Sequence, residues 1–186
     1  TIRRLRPGST PSCTGRWSGE VARLAGIDLP MAPTVGLTAL TAPTAARLGA
    51  VFHTDQIALR PDGAGRIMLH HGDIDDQVTL DTPVEPTPAV VAELLRRAAA
   101  VLPGLAGARI EATRIAPRAI PGDGYTVIGP APGAPGLYLI ASHSAITMAA
   151  LFGRLATREI LDGQVDERLA TFRPERLARA AEGVAS

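Results

Sequence analysis

The sequence predicts an α+β fold, a mixed and largely antiparallel β-sheet with flanking helices. Two observations lead there. Stretches with strand character outnumber those with helical periodicity, and consecutive strands are mostly joined by short turns rather than by helices. A doubly wound parallel sheet requires the reverse.

Residues 1–12 carry neither a clear apolar period nor good strand formers after Leu5, and Pro7-Gly8-Ser9 breaks any regular run. They are expected to form a poorly ordered leader. Cys13-Thr14-Gly15-Arg16-Trp17-Ser18-Gly19 comes next, followed by a short helix from Glu20 to Ala25 that Gly26 closes. Trp17 is the one Trp in a chain with 3% aromatics, and from the residues alone it reads as a core anchor. Pro33 to Ala42 reads as a strand. Gln56 to Arg60 and Arg66 to His71 read as the arms of a hairpin around Pro61-Asp62-Gly63-Ala64-Gly65, whose glycines permit positive φ. Thr87-Pro88 opens a helix, Thr as N-cap and Pro as first helical residue, with Val91, Leu94, Leu95, Ala98, Val101 and Leu102 on one face up to Pro103. Arg109 to Ile120 alternates as a strand, and Pro121-Gly122-Asp123-Gly124 turns the chain toward another from Tyr125 to Gly129. Gly136 to Ala141 is a β-rich apolar run that passes through a small-residue turn directly into a helix. That helix buries Met148, Leu151, Phe152, Leu155, Ala156 and Ile160 and stops at Gly163. An Arg- and Ala-rich helical tail over 167–186 ends the chain.

At 186 residues, one domain with its own core is expected. Lys+Arg 19 against Asp+Glu 18 leaves no net field to recommend nucleic acid or an acidic membrane surface as partner. The single Cys13 excludes an internal disulfide framework and fits a reducing compartment. With no transmembrane-length apolar run and no signal segment, the expectation is a soluble, cytoplasmic protein without membrane contact. The chain opens on Thr1 rather than Met, and a piece of something longer is expected.

Most candidate chemistry falls away on spacing. His70 and His71 are adjacent on a strand and point to opposite faces, so they make no metal pair. Asp73, Asp75 and Asp76 lack the Gly and distal Glu of a calcium loop and read as a solvated acidic turn. No metal is expected. The turn Ser142-His143-Ser144-Ala145-Ile146-Thr147 is different, because the first turn of the helix it opens has free backbone N–H groups and the positive end of the helix dipole. It suits an electron-rich group. Ser144 also has the position of a hydrolase nucleophile, but Ser142 and Ile146 replace both elbow glycines and no His follows it in the chain. A serine hydrolase-like fragment is kept as an alternative, as is a non-catalytic fragment or partner subunit.

Four patches carry a family resemblance. Cys13-Thr14-Gly15-Arg16-Trp17-Ser18-Gly19 resembles a CTGxWxG segment. Arg118 to Gly129 resembles RPxPxDGxPxxG, and Gly136 through Ala156 resembles GLYxxxxHSGxTxAPxxGRLxA. Phe172-Arg173-Pro174-Glu175-Arg176 matches a closing FxPxR. In this order they are similar to the C-terminal half of FAD-dependent oxidoreductases of the D-amino-acid oxidase superfamily, glycine oxidase and sarcosine oxidase relatives included. Ala145 and Ala150 stand where the family pattern has Gly and Pro.

The resemblance implies a substrate domain plus the C-terminal helix that completes the FAD domain. Residues 13–186 would divide into a substrate-domain sheet at about 30–120, a flavin-proximal strand and helix at about 121–163, and a tail at 164–186. The cofactor implied is FAD, lined by Thr14, Gly15 and Trp17, with Ser142, His143, Ser144, Ala145, Ile146 and Thr147 presenting backbone N–H groups to the flavin's N1 and C2 carbonyl. Arg118 would grip the carboxylate of a small amino-acid or amine substrate, which is oxidised to the imine by hydride transfer to flavin. The alternative for Arg118 is a turn arginine paired with Asp123. No protein acid or base is implied. The half with GxGxxG is not among these residues, so a missing N-terminal Rossmann half is the expected partner.

Overall fold

A computed structural model describes residues 10–83 and 88–177. Where the sequence suggests one core, the chain forms two compact units. Thr34–Pro117 makes one, and the residues up to Pro33 together with those from Arg118 onward make the other.

In the Thr34–Pro117 unit, strands β2 (Val35–Thr41), β3 (Phe52–His53), β4 (Ala58–Pro61), β5 (Ile67–His70) and β6 (Ile110–Pro117) form an antiparallel sheet in the order β3-β4-β5-β2-β6. The β4–β5 hairpin pairs Ala58 with His70 and Pro61 with Ile67, around a turn in which Gly63, Ala64 and Gly65 all take positive φ. Helices α2 (Gly72–Asp75) and α3 (Pro88–Val101) belong to the same unit. Leu94 and Ala98 of α3 are fully buried against Leu37, Ala39, Leu59 and Leu69, as the apolar period predicts. Val101, assigned to the same face, is exposed at the end of the helix. Thr87, the expected N-cap, lies outside the described residues. The acidic turn is not simply solvated: Asp75 is buried and accepts the Leu37 N–H at 2.7 Å, with His70 Nε2 at 3.0 Å from its other oxygen. A buried carboxylate needs such partners, and the interior strands β2 and β5 supply them.

The second unit is a three-stranded sheet, β1 (Thr10–Ser12), β8 (Leu137–Ala141) and β7 (Val127–Pro130), in the order β1-β8-β7. β1 runs parallel to β8 and β7 antiparallel to it. The fold class is therefore as predicted, α+β with a mixed and largely antiparallel strand arrangement. Alternation along the strands feeds two cores. Val127, Leu139 and Ala141 face Ala22 of α1 (Ser18–Leu24), Leu29 and Leu177, while Ile128 and Tyr138 face Phe152, Leu155 and Ala156 of α4 (Ala145–Asp162). A strand covered on both faces reads as an unbroken apolar run, which is the character of Leu137–Ala141.

Two expectations are corrected here. Thr10–Ser12, assigned to the leader, is a strand, since the edge of β8 supplies the hydrogen bonds that its own residues do not recommend; residues 1–9 lie outside the described range. The tail is not one helix. A 3₁₀ helix spans Glu167–Phe172, and Arg173 is extended before Pro174 (φ −69°, ψ 142°), as a residue preceding proline prefers. Residues 178–186 lie outside the described range.

Candidate functional site

Because β1 and β8 are neighbouring parallel strands, the turns that leave their carboxyl ends emerge side by side. Crevices at such strand ends are where open α/β sheets hold ligands. The first turn is Thr14-Gly15-Arg16-Trp17. Gly15 has φ +59°, and a side chain there would meet open space; its carbonyl accepts from Ser18 Oγ at 2.7 Å. Thr14 Oγ1 lies 3.4 Å from both Ser12 Oγ and Ser18 Oγ. Trp17 is not a core anchor. It is 50% exposed, with the Arg16 guanidinium 4.3 Å from its ring centroid. The buried face of α1 is instead made of Ser18, Gly19 and Ala22, and a Cβ on Gly19 would come within 2.7 Å of the Leu29 carbonyl. That close approach requires glycine at 19.

The second turn is the mouth of α4. Ser142 is buried at 3% exposure; its Oγ accepts the Ser144 N–H at 3.1 Å and lies 2.8 Å from Thr126 Oγ1. The Ser144 amide is thus already engaged. Ser144 is the N-cap residue, and its carbonyl accepts from Met148 N–H at 3.0 Å. Ala145, Ile146 and Thr147 are the first three helical residues, so their N–H groups have no carbonyl four residues back within the helix. All three are exposed, as are His143 and Ser144, and Ile146 is 95% exposed. An 18-residue helix with its positive end open in this way favours negative charge at its mouth. Ala145 has no left-handed φ, so Ala stands there without backbone strain. At the far end Gly163 (φ 68°) closes α4, its N–H bonded to Glu159 O and that of Gln164 to Arg158 O.

Arg118 meets His143 at this mouth. Its Nη2 lies 2.5 Å from His143 Nε2. A guanidinium only donates, so Nε2 is the acceptor in this contact. The alternative that pairs Arg118 with Asp123 gives way to another arginine. Arg176 holds Asp123 in a two-bond fork, Nε to Oδ2 at 2.6 Å and Nη2 to Oδ1 at 3.0 Å. That fork holds the Asp123 carboxyl below the usual carboxylate range. Nearby, Tyr138 OH donates to Glu159 Oε2 at 2.7 Å and Arg173 Nη1 donates to the same oxygen at 2.9 Å. Burial, then the Glu159 carboxylate, pushes the Tyr138 hydroxyl well up. Beside the mouth, a cleft of about 420 Å³ runs between Ser144 and Thr147 at one end and Leu151, Phe152 and Phe172 along its wall.

Thr14, Gly15, Trp17, Arg118 and Ser142–Thr147, the residues the sequence marks, all lie in the same unit. Thr126 and Arg176 carry no role that the sequence alone shows, and Asp123 only an alternative pairing with Arg118. Asp123 and Arg176 stand inside the family-like motifs, which was the available signal. The geometry gives the hydrolase alternative no support: Arg118 occupies His143 Nε2, and Ser144 has an unstrained backbone (φ −96°, ψ 25°). Among the described residues no group of three or more His, Cys, Asp or Glu could hold a metal, and no helix is long and apolar enough to cross a membrane.

A small-residue turn and an open helix mouth stand at the ends of two parallel strands, with an arginine at the mouth. Similarity to known proteins gives the class. The FAD dependent oxidoreductase family matches residues 12–159, and the chain belongs to that family. It is 28% identical over 165 residues to an opine oxidase subunit of Agrobacterium tumefaciens (strain Ach5), covering 86% of this chain and 44% of that protein. Its fold is similar to L-proline dehydrogenase from P. horikoshii (TM-score 0.76, 19% identity, 93% of this chain and 48% of that one). It is likewise similar to glycine oxidase from Geobacillus kaustophilus (TM-score 0.71, 20% identity, 89% and 44%). The chain spans less than half the length of each of these proteins.

Proposed function

We propose that this chain supplies the flavin-end and substrate-gripping part of an FAD-dependent enzyme that oxidises an amino acid or amine of the glycine, sarcosine or D-amino-acid type. The observation that carries the reading is the meeting of Arg118 with His143 at the open mouth of α4, beside the turn that follows the parallel strand β1. The residues fit the cofactor: Ala145, Ile146 and Thr147 offer N–H groups without intrahelical acceptors, and Gly15 leaves open space beside Thr14. Bound FAD supplies the two-electron acceptor that lets a C–N single bond become an imine.

The chain's own groups then have separable tasks. The mouth of α4 places positive potential where negative charge gathers during the oxidation, already oriented before the reaction begins. Arg118 donates two parallel N–H bonds to the substrate carboxylate and orients the carbon that loses its hydrogen. His143, in contact with Arg118 through Nε2, limits where the guanidinium can lie before substrate arrives. Phosphate binding falls to a Rossmann half, supplied by an adjoining segment or a separate subunit. Coverage of 44% of the opine oxidase subunit supports this division.

The test is anaerobic reduction of the flavin-containing assembly by glycine, sarcosine, D-alanine and D-proline. At least one should bleach the visible flavin band, and the Arg118→Lys variant should do so much more slowly. An assembly that holds flavin yet is reduced by none of these, nor by related amines, refutes the proposal.

A further inference from the structure

We infer that Arg176 is a positioning residue for the mouth of α4, acting through two hydrogen-bonded groups, joined by the Tyr125–Thr126 peptide bond, that run from the tail to the Ser144 amide. Its functional consequence rests on the proposal that this mouth faces flavin; the path itself does not.

The path begins at the guanidinium. Arg176 grips both Asp123 oxygens, donates from Nη2 to the Tyr125 carbonyl at 2.9 Å, and is braced by its own Nη1 on the Arg173 carbonyl at 3.1 Å. Asp123 Oδ1 in turn accepts the Tyr125 N–H at 3.1 Å, so the two members of the fork hold Tyr125 by its amide and its carbonyl. Little else restrains that residue. Its ring is 60% exposed, and it follows Gly124, which has φ +82° and no neighbour within 4 Å of where a Cβ would stand. The earlier part of the turn is anchored independently, by buried Pro121 and by Gly122 N–H on the Pro30 carbonyl at 2.8 Å. Thr126 comes next, and its hydroxyl lies 2.8 Å from Ser142 Oγ, which accepts the Ser144 N–H. Ser142 is almost fully buried, so water does not readily replace a lost partner there. The direction of the N-cap residue therefore depends on where Thr126 stands, and Thr126 is held on one side by Val127, paired with Ala141, and on the other by Tyr125 in the Arg176 clasp, 50 residues further along the chain.

Amide hydrogen exchange in the full 186-residue chain tests this. Arg176→Gln should speed exchange at Tyr125 and at Ser144 by roughly fivefold to tenfold, with the amides of β7 and β8 unchanged. Thr126→Val, which cuts the path in its middle, should speed Ser144 and leave Tyr125 protected. Arg176→Lys should fall between wild type and Arg176→Gln, since one ammonium reaches Asp123 but does not reproduce the fork. A uniform rise across β7 and β8 would show a general stabilising role and overturn the inference. So would an unmoved Ser144 in Arg176→Gln or, if that variant does not fold, in Thr126→Val. None of these readouts needs flavin, so failure of the proposed function would leave them standing.

Discussion

Replacing Arg118 by Lys separates substrate gripping from cofactor holding. The guanidinium sits at the α4 mouth with Nη2 on His143 Nε2, and its planar fork can offer parallel N–H bonds to a carboxylate. Lysine keeps the charge and one line of donation. Losing one charge-assisted hydrogen bond, with poorer alignment of the other, should cost about 2–3 kcal/mol, or roughly 30- to 150-fold in kcat/KM for carboxylate-bearing substrates. Flavin content should hardly change, because the mouth amides at Ala145, Ile146 and Thr147 belong to the backbone and the Thr14–Trp17 turn is a separate segment. The assay compares steady-state kcat/KM for a carboxylate substrate with that for an amine lacking the carboxylate, alongside the flavin-to-protein absorbance ratio. Only the carboxylate substrate should lose most of its rate. Unchanged turnover per bound flavin combined with a large loss of flavin would make Arg118 a cofactor or scaffold residue and refute the reasoning.

Three further outcomes follow from the geometry. The 186-residue chain alone should not retain stoichiometric FAD through purification, because none of its described helices follows a GxGxxG turn to receive pyrophosphate; an FAD-to-protein ratio near one would contradict this. Gly129→Ala should destabilise by about 1–3 kcal/mol in urea unfolding, since φ is +152° and the new Cβ would lie 2.7 Å from Arg173 Nη1, an atom held by Glu159 and the Ile128 carbonyl. Asp123 has a lowered folded-state pKa, so the unfolded chain binds its proton first as pH falls. Its contribution is full above the ordinary carboxylate pKa and is lost as pH drops through the folded value, so Tm of Asp123→Asn should fall less than wild type on acidification below about pH 4. Parallel Tm curves for the two proteins would show that Asp123 adds no pH dependence.

Elements whose signal is local were legible in the order of residues. The helix expected from the Ile146 period with its stop at Gly163 is Ala145–Asp162, and the hairpin about Gly63-Ala64-Gly65 is β4–β5. Both depend on contacts within a few residues, between neighbouring helical turns or across one tight turn, so periodicity and turn chemistry suffice. The residue types near the mouth were legible for the same reason, since a helix start exposes its amides wherever it occurs.

What the sequence determined by itself, then, was most of the longer elements, the α+β class and the polarity of one helix mouth. The tertiary structure alone decided which strand lies beside β8, that Trp17 faces outward, and that Asp75 is buried. It alone gave Asp123 to Arg176, 53 residues away, rather than to Arg118 five residues before it. The unit that holds the site is assembled from two stretches separated by the whole of Thr34–Pro117. The physical reason is common to all of these. Thr-Pro-Ser is a strand only where an open edge offers hydrogen bonds, a side chain is excluded at Gly19 only because a distant carbonyl crowds it, and a carboxylate takes the cation that folding brings beside it. Charge attraction and close packing depend on distance through space, and sequence separation does not report it.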